Sequence, residues 1–136
     1  MKKTFLIFAI TTTLFSCQKN SEQIDVVKKE LKTWRKTDKE IDQYKFEVTE
    51  MMDKDMYDIL NKKHTDRSNE YQNYGYYEGA QKEIELASKF VDSMGKAKGE
   101  KKFYKVHFYR IVGKDTLDKG SLMLNDKNKK IGVLTK

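Results

Sequence analysis

The apolar residues near the start of the chain recur at helical spacing. Residues 21–37 carry one every three or four positions: Ile24, Val27, Leu31 and Trp34. This spacing places the four side chains on one face, which predicts an amphipathic helix. Asn20 or Ser21 can cap the start of that helix.

A longer helical stripe occupies the middle of the chain. It comprises Tyr77, Ala80, Ile84, Ala87, Val91 and Met94. Gly95 follows, which is typical of a helix end. Residues 53–63 are ambiguous, although the spacing of their apolar residues favours a helix: Met52, Met56, Ile59 and Leu60.

Alternating polar and apolar residues predict strands. The first is 43–49, where Tyr44, Phe46 and Val48 alternate with polar residues. Three more follow at 102–112, 117–125 and 130–135, with turns at 113–115 and 126–128. The sequence therefore predicts an α+β domain with helices packed on one face of a small antiparallel sheet. This layout is similar to that of cystatin-like and NTF2-like rolls.

The first sixteen residues have the organisation of a secretory signal peptide. A basic start, Met1–Lys3, precedes the apolar run TFLIFAITTTLF, and Ser16 is a small residue before Cys17. The run is too short for a convincing membrane span, which needs ~20 apolar residues. Cys17 is the only cysteine of the chain, so a disulfide within the chain is impossible.

The residues Leu14-Phe15-Ser16-Cys17 resemble the lipobox of bacterial lipoproteins, and LFSC is similar to lipoboxes of Bacteroidota. The resemblance implies cleavage before Cys17, diacylation of its sulfur with chains such as palmitate, and acylation of the new amine. Two or three acyl chains hold a protein firmly on a membrane. The alternative is a lone cysteine that happens to lie near an apolar N-terminus.

The predicted organisation is a signal peptide (1–16), the lipidated Cys17 with a short tether (17–22), and one α+β domain (23–136). Five residues of tether reach at most ~18 Å, so the domain would lie close to the membrane. In the lipoprotein family, an aspartate after the cysteine favours the inner membrane and acidic clusters favour the cell surface. Gln18 and Lys19 provide neither, which indicates the periplasmic side of the outer membrane.

Four tyrosines lie within the seven positions of YQNYGYY, residues 71–77. If the helix continues back through Gly75 and Gly79, Tyr76 and Tyr77 fall on the apolar side. Tyr71 and Tyr74 then face outwards, where tyrosine suits partner binding. The alternatives are that tyrosines are scattered over a surface without function, or that the glycines break the helix.

Positive charge is concentrated in the C-terminal part of the chain. Residues 96–136 contain twelve lysines and arginines but four acids, within a net charge of +7 for the whole chain. Alternation places Lys105, His107 and Tyr109 together on the outer face of the second strand. Anionic lipid, lipopolysaccharide phosphate or an acidic envelope protein fits this basic strip, and nucleic acid is not expected in that compartment. The alternative is a solvated sheet face.

The sequence contains no recognisable catalytic, metal or cofactor motif. His64 and His107 lie in different elements without metal-ligand spacing. Asp53, Asp55 and Asp58 lack the glycine and the distal glutamate of a calcium loop, and they suit a helix N-terminal turn instead.

We therefore expect a small membrane-anchored lipoprotein with a non-catalytic binding domain, not an enzyme. Its best candidate contact residues are Tyr71, Tyr74, Lys105, His107 and Tyr109. The alternative is an inhibitor or immunity-type lipoprotein that neutralises a toxin or a cell-wall hydrolase.

Overall fold

A computed structural model describes residues 20–135, so the predicted signal peptide and Cys17 lie outside the described residues. Two helices, α1 (Ser21–Thr33) and α2 (Asp38–Ile41), precede strand β1 (Tyr44–Met52). Helices α3 (Asp53–Asn73) and α4 (Tyr77–Lys96) follow. Strands β2 (Lys102–Val112), β3 (Asp115–Leu124) and β4 (Lys130–Thr135) complete the described chain.

The four strands form one antiparallel sheet in the order β1-β2-β3-β4. Val48 pairs with Val106, Val106 with Leu122, and Leu122 with Val133, so one apolar row crosses the whole sheet. The predicted α+β class with an antiparallel sheet is confirmed. The strands also lie close to their predicted positions, because each alternates apolar and polar residues along a half-buried surface.

The helices are divided between the two faces of the sheet, whereas the sequence pattern predicted them on one face. Helix α1 packs on the first face through Val27 and Leu31, against Val106 and Leu122 among others. Helix α3 packs on the second face through Met56 and Leu60, against Phe103 and Met123. The neighbours Leu122 and Met123 point in opposite directions and are both fully buried, so both faces of this part of the sheet need cover.

A glycine in β4 allows α3 to approach the sheet closely. A Cβ atom added to Gly132 would collide with the side chain of Leu60, which is completely buried. The side-chain ammonium of Lys63 also donates to the backbone carbonyl of Val133. Helix α3 therefore passes over the edge strand β4.

Helix α1 ends four residues earlier than the predicted limit of residue 37. Arg35 adopts a left-handed backbone conformation with φ of 63°. The amide of Arg35 donates to the carbonyl of Lys32, and the amide of Lys36 donates to that of Leu31. This is a Schellman motif, with arginine at the position that glycine usually occupies. It turns the chain back and leaves Trp34 at the end of the helix.

Helices α3 and α4 form a long antiparallel hairpin. The ambiguous segment at 53–63 is helical, and the helix continues to Asn73. Asp53 and Asp55 lie in its first turn, as predicted for acids that complement the helix dipole. On α4 the predicted apolar stripe is only partly covered, because Ala80 and Ala87 are buried while Ile84 and Val91 are exposed.

Candidate functional site

The tyrosines of residues 71–77 lie at the turn of the α3–α4 hairpin. Gly75, with φ of 74°, ends α3 at the turn, so the alternative of a broken helix is the one observed. The prediction that Tyr76 and Tyr77 enter a core is therefore wrong, because both side chains are exposed and Tyr77 is 73% exposed. The left-handed glycine changes the helical phase on which that prediction depended.

Tyr74 is 79% exposed, whereas Tyr71 is half-buried. A guanidinium nitrogen of Arg67 donates to the Tyr71 hydroxyl at 2.7 Å, and the Tyr71 ring meets the Tyr76 ring edge-on at 5.4 Å between centroids. The missing side chain of Gly79 leaves space for these two rings. Tyr71 therefore supports the turn, and Tyr74 is free for contact.

The predicted strip of Lys105, His107 and Tyr109 lies on the α3 side of the sheet, opposite α1. His107 Nδ1 lies 3.2 Å from the Ser121 hydroxyl, and the Tyr109 hydroxyl donates to Glu47 at 3.0 Å. The strip residues are half-buried and two of them are engaged within the sheet. Among residues 20–135, no hydrogen bond or ring contact joins the strip to the hairpin tyrosines.

A pocket of about 370 Å³ opens between the end of α1 and the β2–β3 hairpin, on the sheet face that α1 covers. Its lining combines apolar, aromatic and charged side chains: Leu31, Trp34, Lys36, Phe108, Leu117 and Asp118. The Trp34 ring packs against the Phe108 ring at 5.8 Å, and the Tyr44 ring lies 6.1 Å from the Phe108 ring. Buried Leu31 and Phe108 form the floor, while Trp34 and Leu117 remain partly exposed at the rim.

An irregularity in β3 brings a carboxylate into this pocket. Phe108 pairs with Gly120 and Arg110 pairs with Leu117, so two residues of β3, Asp118 and Lys119, lie opposite one residue of β2. Asp118 has a left-handed backbone with φ of 50°. Such a bulge redirects a side chain from its regular direction, and a left-handed residue other than glycine costs ~1 kcal/mol or more.

The carboxylate of Asp118 is the centre of a charged network. Its Oδ2 accepts from Arg110 at 2.8 Å and from Lys36 at 3.5 Å, and Tyr44 lines the pocket beside it. Burial alone would raise the pKa of this carboxyl, but the charges of Lys36 and Arg110 prevail and lower it below its ordinary value. Asp118 therefore stays ionised in the folded protein at neutral pH.

Sequence reasoning did not identify this pocket. It assigned Trp34 to the buried face of α1 and the segment around Asp118 to the start of a strand. Lys36 and Asp118 are 82 positions apart and meet only through the fold. The available signal was the single tryptophan of the chain at the end of a predicted helix, since tryptophan is enriched in binding surfaces.

A second cavity, of about 420 Å³, lies beside the connection between α4 and β2. Its lining is mostly charged and includes Lys96, Lys98, Lys101 and Glu100. Exposed, solvated side chains of this kind orient a ligand poorly, whereas ligand pockets are mainly apolar with a few placed polar groups. We therefore regard the pocket beside Trp34 as the better candidate site.

The two histidines occupy separate places. His64 is buried between α3 and α4, where its Nδ1 donates to Glu83 Oε2 at 2.5 Å and its ring stacks on Phe90. Glu83 is also 3.7 Å from the guanidinium of Arg67. Within residues 20–135, no cluster of three or more histidine, cysteine or acidic side chains is arranged to hold a metal ion.

Comparison of the chain with protein-family models, curated proteins and solved structures found no match. Within the part of the chain that the structure describes, none of the helices has the length and apolarity that crossing a membrane requires.

Proposed function

We propose that the protein is a lipid-anchored binding protein of the cell envelope, held by acylated Cys17, which contacts a partner protein through the pocket beside Trp34. The observation that carries the proposal is the position of this pocket. It opens at the end of the domain opposite to the point where the tether enters.

Two contacts define the tether end of the domain. Gln23 donates to the side chain of Asn128 at 2.9 Å, and Asn128 in turn donates to Glu22 at 3.1 Å. The start of α1 therefore lies on the β3–β4 turn. Trp34 and the β2–β3 hairpin lie at the other end of α1, about 20 Å away at 1.5 Å per helical residue.

Exposed apolar residues surround the pocket at this far end. Ile111, Val112 and Leu117 of the β2–β3 hairpin are each between 44% and 48% exposed. Tryptophan, tyrosine and arginine carry much of the binding energy in protein interfaces, and Trp34, Tyr44 and Arg110 lie in or beside the pocket. A domain that is anchored at one end and exposes an apolar surface at the other is suited to contact a partner protein away from the lipid surface.

Site-specific photocrosslinking in a native type of host tests the proposal. A photoreactive amino acid replaces Leu117 at the rim of the pocket, and in a matched variant it replaces Leu86, an exposed leucine of α4. We expect position 117 to crosslink one envelope protein and position 86 to leave it unlabelled. Equal labelling from both positions, or labelling of lipid alone, would contradict the proposal.

The anchor is tested in the same cells. The intact mass of the mature protein should show cleavage before Cys17 and acylation, and Cys17→Ala should lose both the acyl chains and the crosslink. An unacylated wild-type protein would refute the anchor. A crosslinked toxin or cell-wall hydrolase would point to the inhibitor or immunity-type function.

The strip of Lys105, His107 and Tyr109 remains a separate candidate surface. The double substitution Lys105→Glu and His107→Glu reverses charge on the sheet face opposite to the pocket. The proposal expects the crosslink from position 117 to persist in this variant. Loss of the crosslink in the folded variant would move the partner surface to the strip.

A further inference from the structure

The charges around the pocket restrict the chemistry of its occupant. Lys36 and Lys119 line it with one carboxylate, Asp118, which Arg110 contacts. Glu40 of α2 interacts electrostatically with Lys36 and Arg110, so the cations exceed the acids by one. The floor and one wall are apolar, formed by Leu31, Phe108 and Trp34. A purely apolar group would leave Lys119 without an anionic partner, and a purely charged group would leave the apolar walls in water.

The charged network around Asp118 shows that the cations of this pocket stabilise an ionised carboxylate. Two cations, Lys36 and Arg110, converge on a single oxygen of Asp118. The Nε of Arg110 is buried and has no hydrogen-bond partner among the described residues, while another nitrogen of the guanidinium donates to Asp118. Arginine is suited to carboxylates because its planar fork can donate to two oxygens.

We propose that the pocket binds an apolar side chain next to a carboxylate, as an acidic segment of a partner protein presents them. The apolar side chain lies against Trp34, Phe108 and Leu31, and the neighbouring carboxylate meets Lys36 and Lys119. This inference rests on the proposed function, and it specifies the chemistry of the partner segment.

The pocket can accept a group of this size. Its volume of about 370 Å³ lies within the ~300–1,000 Å³ of small-ligand pockets. The opening between Trp34 and Leu117 has apolar sides, and Lys119 is exposed beside them. An anchoring side chain can therefore enter while its backbone stays at the rim.

A set of three short peptides tests the proposal on the full mature protein in detergent micelles. They are the acetylated amides of Phe-Glu-Glu, Phe-Gln-Gln and Ala-Glu-Glu, which separate the apolar anchor from the charge. Trp34 is the only tryptophan of the chain, and none of the peptides contains one, so selectively excited tryptophan fluorescence reports on the pocket alone.

We expect Phe-Glu-Glu to change the fluorescence of Trp34 saturably. Its affinity should exceed that of each other peptide about tenfold, since burial of a ring and two screened ion pairs each supply an effect of this order. Equal affinity of Phe-Glu-Glu and Phe-Gln-Gln would overturn the role of the carboxylate. Equal affinity of Phe-Glu-Glu and Ala-Glu-Glu, or no response to any peptide, would overturn the pocket as the binding site.

Two double variants that lose the same charge at different places test whether the pocket lysines bind the carboxylates of Phe-Glu-Glu. Lys36→Gln with Lys119→Gln should weaken binding of Phe-Glu-Glu about tenfold, as expected for the same two partly screened ion pairs. Lys29→Gln with Lys89→Gln, which removes the same charge from exposed sites on α1 and α4, should leave binding unchanged. Equal weakening in the two double variants would show a general charge effect and overturn the proposal.

Thermal unfolding followed by circular dichroism checks that both double variants are folded. Failure of this inference is distinguishable from failure of the proposed function. If the peptides fail while position 117 still crosslinks an envelope protein, the partner surface stands and only the assigned ligand chemistry is wrong.

Discussion

The replacement Asp118→Asn should destabilise the protein through charge alone. Asparagine has the same shape as aspartate and also tolerates a left-handed backbone, so the bulge in β3 is expected to persist. The amide oxygen of the variant can still accept a hydrogen bond from Arg110. What disappears is the ionic part of the interaction with Arg110 and Lys36.

The size of this destabilisation depends on how far the ion pairs of Asp118 are exposed to water. The Arg110–Asp118 contact is 2.8 Å, but the Asp118 side chain is 34% exposed, so water screens the pair. Exposed ion pairs contribute ~0.2–1 kcal/mol each, and the longer contact with Lys36 lies at the lower end. We therefore expect Asp118→Asn to lower the free energy of unfolding by about 1 kcal/mol, or roughly 4 °C in melting temperature.

The effect should depend on pH with a defined sign. The folded-state pKa of Asp118 is lowered from its ordinary value of 3.8, so the folded protein binds this proton less readily than the unfolded chain. The stabilisation by Asp118 is therefore fully present above the ordinary pKa of 3.8, which applies to the unfolded chain. It is lost as the pH falls through the lower pKa of the folded protein. Urea titrations of the wild type and of Asp118→Asn, at about pH 7 and about pH 3, measure the free energy of unfolding. The difference between the two proteins should be smaller at the acidic pH.

The matched control is Asp92→Asn, which removes the same charge from an exposed site of α4 outside the ion pairs of the described residues. It should change stability little at either pH. The reasoning would be refuted if Asp118→Asn were as stable as the wild type at neutral pH. An equally large difference at acidic pH would refute the ionic origin.

Three further substitutions test the fold. Leu60→Ala should destabilise the protein by about 2–5 kcal/mol, because Leu60 is fully buried against β4; urea unfolding measures this. Arg35→Gly should raise the free energy of unfolding by roughly 0.5–1 kcal/mol by relieving the left-handed arginine, which thermal melts would detect. Glu83→Gln should cost about 1–3 kcal/mol by weakening the buried bond to His64, with hydrogen exchange fastest in the α3–α4 hairpin.

Each of these has a control of similar chemistry. Leu86→Ala removes a more exposed leucine and should cost much less than Leu60→Ala. Arg35→Ala removes the same side chain without relieving the backbone, so stabilisation in that variant would contradict the left-handed strain. Glu85→Gln, an exposed neighbour of Glu83, should leave hydrogen exchange in the hairpin unchanged.

The sequence alone predicted the α+β class, the four strands and the helices α1 and α4, but not the short helix α2 or the full length of α3. The apolar spacing of Val27 and Leu31 and the alternation of Tyr44, Phe46 and Val48 are local patterns, and their periods distinguish helix from strand without tertiary information. The leader and the lipobox around Cys17 are also local patterns, and they stay a prediction because these residues lie outside the described range. A leader and a lipobox are recognised from consecutive residues, so predicting them requires no knowledge of the tertiary structure.

Only the tertiary structure decided how these elements are arranged and where a site forms. The consecutive burial of Leu122 and Met123 depends on helices covering both faces, and the positive φ of Gly75 and Asp118 changed the directions that simple periodicity assigned. The pocket unites the end of α1 with a bulge in β3, so its residues come from distant parts of the chain. Periodicity describes neighbours along the chain, whereas a pocket depends on backbone irregularities and on packing between elements far apart in sequence.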